Sequence, residues 1–144
     1  MERADGLRET MVAHLERAGV LRHSHIAAAM RNVPRHRFLP DLPIEEAYAD
    51  RAVAIKTAGD DVLASVSQPG MIAHMLELLA AGPGDRIVEI GTGSGYNAAL
   101  LGELVGPHGS VLSIDVDEEL ARRAQALLRE LGCANVTVRV ADGA

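Results

Sequence analysis

The run Arg86-Ile87-Val88-Glu89-Ile90 leads without a break into Gly91-Thr92-Gly93-Ser94-Gly95-Tyr96. A short β-branched run that ends on alternating glycines has few ways to fold. It predicts a strand, a turn whose glycines accept positive φ, and a helix that starts at once. The same rhythm continues downstream. Ala98 to Val105 reads as a helix and Ser110 to Ile114 as a second strand. Glu118 to Leu131 is an amphipathic helix with Leu120, Ala124, Leu127, Leu128 and Leu131 on one side, between an N-cap candidate Asp117 and a C-cap candidate Gly132. Val136, Val138 and Val140 alternate as a third strand. Strand, helix, strand, helix, strand implies an α/β fold with a parallel sheet and right-handed crossovers.

Upstream the pattern is different. Leu7, Met11, Leu15 and Ala18 recur at helical spacing until Gly19, and Ser24 is a candidate N-cap for a second helix that ends near Asn32, before Pro34. Prolines 34, 40 and 43 mark an irregular connection, and Gly59-Asp60-Asp61 reads as a turn or loop tip. Residues 1–66 are therefore expected to form a helical and looped N-terminal cap, with residues 67–144 as the α/β part. Pro69 suits the first turn of a helix whose apolar face is Met71, Ile72, Met75, Leu78 and Leu79, expected to be core, and Gly82-Pro83-Gly84 should end it. Three parallel strands are fewer than a doubly wound sheet holds, and the first would keep an unpaired apolar edge. The expectation is an incomplete sheet and a chain that is part of a longer protein.

Composition excludes several classes. The 144 residues are 48% hydrophobic and 24% charged, which is ordinary globular usage. A net charge of −6 argues against a nucleic-acid binder. Cys133 is the single cysteine, so neither a disulfide framework nor a cysteine-rich zinc site is expected, and a reducing cytoplasm is the default compartment. The first ten residues carry Glu2, Arg3, Asp5, Arg8 and Glu9 in place of an apolar signal core. The longest apolar region, Met71 to Ala81, is interrupted by His74 and Glu77 and falls short of the roughly 18 residues of a membrane span. His23, His25 and His36 lack the acids or cysteines that would complete a ligand set, so no metal is expected.

The chemistry concentrates around the glycine turn. Backbone N–H groups and the dipole of the following helix face whatever enters there. The dinucleotide pattern wants a third glycine at position 96, where this chain has Tyr96, and no Gly-Lys-Ser/Thr follows for a Walker loop. Gly91, Thr92, Gly93, Ser94 and Gly95 therefore suit an uncharged nucleoside better than a pyrophosphate. Asp115, at the end of the second strand, is placed for ribose hydroxyls. Asp142-Gly143, after the third strand, is placed for an adenine edge, and Glu89 would suit a ligand ammonium. Acids in these positions fit an amino-acid nucleoside such as S-adenosyl-L-methionine, although a strand-end Asp is also a common helix cap. Tyr96 either stacks beside the ligand or packs under the loop.

These residues resemble motif I of the class I S-adenosylmethionine methyltransferases. Val33-Pro34-Arg35-His36-Arg37-Phe38-Leu39-Pro40, Ala47-Tyr48-Ala49-Asp50, Ser67-Gln68-Pro69, Pro83-Gly84-Asp85, Tyr96-Asn97-Ala98-Ala99 and Asn135-Val136 resemble the protein-L-isoaspartate O-methyltransferases in the right order. The resemblance implies a Rossmann-like class I methyltransferase fold with a helical N-terminal extension, its cofactor-binding half beginning at residue 67. It also implies methyl transfer from S-adenosyl-L-methionine to the α-carboxylate of an isoaspartyl residue in a protein or peptide, and succinimide formation leading to repair. No nucleic-acid or membrane partner is implied.

Ser67 matches the family's active-site serine. A carboxylate is already ionised near neutral pH, so the reaction needs a donor to orient it and not a general base. On the residues alone, Ser67 is equally a cap for the helix that opens at Pro69. Ile55 to Ala64 is longer and more acidic than the family's usual link, and Ala64-Ser65-Val66 stands where Gln-Thr-Ile is typical. Two other readings stay open: a nicotinamide-dependent oxidoreductase, against which Tyr96 counts, and an inactive piece retaining part of a nucleoside pocket.

Overall fold

The computed structural model describes residues 2–144. The chain packs as two units, one through Ala80 and one from Ala81 to Ala144.

The first unit is built on helices α1 (Glu2–Arg17), α2 (Ser24–Asn32), the short α3 (Ile44–Ala47) and α4 (Pro69–Leu79), with a 3₁₀ turn at Arg35–Phe38. Its core is the buried stripe Met11, Val12 and Leu15 of α1, Ile26, Ala27 and Met30 of α2, and Ile72, Ala73 and Leu76 of α4. Arg31 ties α2 to α1 by a two-pronged pair with Glu9 at 2.8 and 2.9 Å and a third bond to Glu16 at 2.6 Å.

The first unit departs from the sequence expectations at three local points. Ser24 is the first helical residue of α2, not its cap; His23 holds the cap position and makes no side-chain cap bond. The acceptor comes instead from α4, where Glu77 takes the backbone N–H groups of Arg22 at 2.5 Å and His23 at 3.0 Å and meets the His23 ring at Nδ1. Helix α4 closes on Ala80 in the left-handed region, at φ 55°, before the Gly-Pro-Gly is reached. Its outer side is also apolar: Met71, Met75, Leu78 and Leu79 are 49, 46, 72 and 52% exposed, because the face turned toward α1 and α2 is the Ile72–Ala73–Leu76 one, so that of the expected core face only Ile72 is buried.

Residues 41–66 hold more than a loop. Strands β1 (Val53–Ala58) and β2 (Asp61–Val66) form an antiparallel hairpin closed by Gly59-Asp60, with Val53 opposite Val66 at its base. Gly59 has φ 59°, as a two-residue hairpin loop requires. The register shifts between Ala54 and Thr57, and only the base residues Val53 and Val66 are buried.

The second unit is the α/β part. Strands β3 (Arg86–Ile90), β4 (Ser110–Asp115) and β5 (Val136–Val140) pair in parallel in the order β3-β4-β5, alternating with helices α5 (Tyr96–Val105) and α6 (Glu118–Glu130). Asp117 caps α6 as expected, its side chain accepting the Leu120 N–H at 3.0 Å, and Gly132 follows at φ 78°. Ile87, Val111 and Val136 share one sheet face, and Val88 and Ile90, on the other, are 61 and 62% exposed. Among the described residues β3 pairs only with β4. Among the described residues no helix is long and apolar enough to cross a membrane.

The Glu77 contact has a pH signature. Burial alone would raise this carboxyl. The bonds from the His23 ring and the Arg22 and His23 backbones, with the His23 charge, outweigh it and hold the group at about 2, against an ordinary 4.5. A carboxyl held low stabilises the fold fully above its unfolded value and loses that contribution as pH falls. Glu77→Gln is expected to lower the melting temperature at pH 7, with the deficit shrinking as both proteins are taken from pH 4.5 toward pH 2.

Candidate functional site

In the second unit the turn between β3 and α5 has the conformation its glycines predict. Gly91, Gly93 and Gly95 stand at φ 95°, 54° and 93°, all in the region closed to most side chains. Gly91 N–H reaches the Ile114 carbonyl at 2.7 Å and Gly95 N–H the Thr92 carbonyl at 2.9 Å. Gly95 then occupies the N-cap of α5, so the helix opens directly on the turn. The Tyr96 alternatives resolve toward packing, since its side chain is 1% exposed.

Two acids flank this turn. Asp115, at the end of β4, accepts the Gly93 N–H on Oδ2 and the Asp117 N–H on Oδ1, each at 2.9 Å. Each carboxylate oxygen keeps a second lone pair for an incoming hydroxyl. Glu89 on β3 is the register partner of Ser113 on β4. Its Oε1 takes the Ser113 hydroxyl at 2.5 Å and its Oε2 the Asn97 amide at 2.8 Å. With Ser113 donating to Glu89, the Thr92 hydroxyl at 2.6 Å donates in turn to Ser113. A chain of hydroxyls thus joins the turn, the middle strand and the acid.

Ser113 is not a site candidate in the sequence, and Asn97 enters there only within the Tyr96-Asn97-Ala98-Ala99 motif, without a role. The available signal was a serine inside the apolar run Val111-Leu112-Ser113-Ile114, a polar group that must find a partner when buried.

Asp142 and Gly143 follow β5. Asp142 is exposed and accepts the Ala144 N–H at 2.9 Å. Gly143, at φ 83°, runs against the end of β3: a Cβ there would fall 3.1 Å from Cδ1 of Ile90. The segment after β5 therefore lies beside the strand that ends in the glycine turn.

In the first unit, half-buried Ser67 joins β2 to α4. It is not the helix cap: Gln68 holds that position, and its own side chain makes no cap bond. The Gly70 N–H in the first turn is taken by Asp50 at 2.8 Å. Among the described residues no group of three or more His, Cys, Asp and Glu side chains is arranged to hold a metal ion. Burial first, then the Glu103 charge, raises the Cys133 thiol, which is the opposite of nucleophilic activation.

Burial, with the Asp115 charge in support, raises the Glu89 carboxyl against the bonds from Ser113 and Asn97, which lower it. A carboxyl raised in the folded state binds its proton more tightly there, so its ionisation weighs against the fold as pH rises from 4.5 through the folded value. Glu89→Gln removes that slope. Urea unfolding should show the stability difference between variant and wild type moving in favour of the variant from pH 4 to pH 7; a constant difference would mean that Glu89 titrates normally.

Comparison with known proteins agrees with this arrangement. A sequence profile of the protein-L-isoaspartate(D-aspartate) O-methyltransferases matches residues 7–144. A protein-L-isoaspartate O-methyltransferase of Ignicoccus hospitalis is 42% identical over 133 residues, 92% of this chain and 61% of the relative. A second such enzyme, from Archaeoglobus fulgidus, is 46% identical over 115 residues, 80% of this chain and 50% of its own. A solved protein-L-isoaspartate O-methyltransferase superposes with a TM-score of 0.85 at 33% identity, covering 94% of this chain and 42% of that one. A Plasmodium falciparum structure assigned to the same family, in complex with S-adenosyl-L-homocysteine, shares the fold at a TM-score of 0.78 and 19% identity, covering 93% of this chain and 62% of its own. The chain spans about half to three fifths of the length of these curated relatives. With the Rossmann-like α/β unit, the glycine turn and a match through residue 144, the chain belongs to the protein-L-isoaspartate(D-aspartate) O-methyltransferase family.

Proposed function

We propose that this chain carries the donor-binding turn and the acceptor-orienting serine of an S-adenosyl-L-methionine-dependent methyltransferase acting on isoaspartyl residues. The observation that carries the reading is the glycine turn: three positive-φ glycines open α5, with Asp115 bonded to Gly93 and Glu89 at the foot of the turn. The donor set fits an amino-acid nucleoside. Gly91, Thr92, Gly93, Ser94 and Gly95 offer bare backbone. Asp115 would take the ribose hydroxyls, Glu89 the ammonium, and Asp142-Gly143 the adenine edge. A cation is well matched to a carboxylate whose burial has already weakened its hydration.

S-adenosyl-L-methionine supplies an electrophilic methyl group on a sulfonium. The acceptor carboxylate arrives ionised, so the protein's part is alignment and exclusion of water. Ser67 donates its hydroxyl to the carboxylate without neutralising it. Its freedom from helix capping supports that role over the alternative one. The backbone amide nitrogen that follows the isoaspartyl residue then attacks the methyl ester, closing a succinimide with loss of methanol, and hydrolysis of the imide returns part of it as normal aspartate. We place the protein in the cytoplasm, with an isoaspartyl protein or peptide as its partner and neither nucleic acid nor membrane among its ligands. The net charge of −6 and the single cysteine support this placement.

Calorimetric titration tests the donor site. S-adenosyl-L-homocysteine should bind the chain and NADH should not; tight NADH binding alone would overturn the assignment in favour of an oxidoreductase. For the serine, Ser67→Ala is expected to lower turnover of an isoaspartyl peptide about 100-fold, the usual scale for one orienting donor. The affinity for S-adenosyl-L-homocysteine should be unchanged. Equal losses in both, or none, would remove Ser67 from the reaction.

A further inference from the structure

Arg35 is fully buried in the 3₁₀ turn, with 0% of its surface exposed. A guanidinium taken out of water must spend its N–H donors inside the fold. Its Nε donates to the Ala47 carbonyl at 2.7 Å, and one terminal nitrogen donates to the carbonyls of Ser67 at 3.2 Å and Arg51 at 3.5 Å. One side chain therefore holds both ends of the segment Ala47–Arg51 and the residue that follows β2. Within that segment sits Asp50, whose carboxylate takes the Gly70 N–H at 2.8 Å. The fit is close: a Cβ on Gly70 would lie 3.2 Å from both Asp50 oxygens. Ser67 and Gly70 are thus held on either side of Gln68-Pro69, one by its carbonyl and the other by its amide.

We infer that Arg35 and Asp50 are positioning residues for Ser67, fixing the backbone on both sides of the Ser67-Gln68-Pro69 bend so that the serine hydroxyl is presented in one orientation. Ser67 needs such support, because the hairpin that delivers it is buried only at its base, Val53 and Val66. Pro69 fixes its own φ and holds Gln68 in the extended region, but nothing in the local sequence fixes Ser67 itself. The clamp supplies that from 32 and 20 residues away in sequence. The inference rests on the reading of Ser67 as the group that orients the acceptor carboxylate.

A double-mutant cycle tests it. Turnover of an isoaspartyl peptide, the KM for that peptide and the Kd for S-adenosyl-L-homocysteine are measured for the wild-type chain, Ser67→Ala, Asp50→Ala, Asp50→Asn, Arg35→Lys, and the Ser67→Ala doubles. Asp50→Ala and Arg35→Lys are expected to lower kcat about tenfold, within the range for a misplaced reacting group, with S-adenosyl-L-homocysteine affinity retained. Asp50→Asn keeps an oxygen for the Gly70 N–H and should recover most of the loss. In the Ser67→Ala background, Asp50→Ala and Arg35→Lys should have almost no further effect on kcat, since residues that act through a third are not additive with its removal. Additive losses, or a parallel loss of S-adenosyl-L-homocysteine affinity, would overturn the inference while leaving Ser67 in place. If Arg35→Lys fails to fold by circular dichroism, the Asp50 cycle decides by the same criteria. Wild-type turnover in Ser67→Ala, or none in the wild-type chain, would overturn the serine reading and the inference with it.

Discussion

A polar side chain sealed from water has to find its hydrogen bonds inside the fold, and this constraint organises both units. The polar or charged residues buried among the described ones are Arg35, Thr92 and Ser113. None lies in an arbitrary place. Ser113 and Thr92 link the glycine turn to Glu89, and Arg35 gathers backbone carbonyls around Ser67. An unpaired group at any of these positions would cost on the order of 1–3 kcal/mol, comparable to a sizeable share of a domain's net stability. The polar bonds that the fold can least afford to lose are therefore the ones that shape the residues assigned to chemistry.

The two units achieve order differently. The α/β unit relies on pattern: parallel strands, capped helices and a turn that glycine alone makes comfortable. Its close packing is equally unforgiving at Gly109, where a Cβ would fall 2.6 Å from the Val105 carbonyl oxygen and 2.7 Å from that of Asp85. The helical unit relies on long-range polar contacts. Glu77 finishes the N-terminus of α2, Arg31 joins α2 to α1, and Asp50 finishes the first turn of α4. Those contacts replace the side-chain caps that α2 and α4 lack.

That difference explains what was legible in the sequence. Every element from Arg86 onward was readable within a few residues because its signals are local: β-branched runs, Asp117 before α6, Gly132 after it. Glu89, Asp115 and the glycines were readable as a group for the same reason. Ser113 and Asn97 were not, because their meaning depends on the Glu89–Ser113 register and on the pitch of α5. The hairpin was hidden by a shifted register and by exposure of both its faces, which erase the period-two pattern. Ser24 looks like a cap in sequence because the acceptor that serves α2 lies on α4, 54 residues away from His23. Of the apolar face expected for α4 only Ile72 is buried, because a helix with apolar residues on more than one side gives a weak phase signal.

The hairpin between Asp50 and Ser67 is buried at its base and grows more exposed toward its tip. Its base pair, Val53 and Val66, is buried, whereas Val62 and Leu63 stand 60 and 58% exposed near a two-residue tip. Closing a longer loop between fixed ends costs only about 0.6 kcal/mol per doubling. Residues can therefore be inserted or lost at Gly59-Asp60 with little penalty and without disturbing the bend that carries the serine. This is a modular arrangement: the tip can change in length, charge and apolarity without altering the buried Val53–Val66 pair at the base.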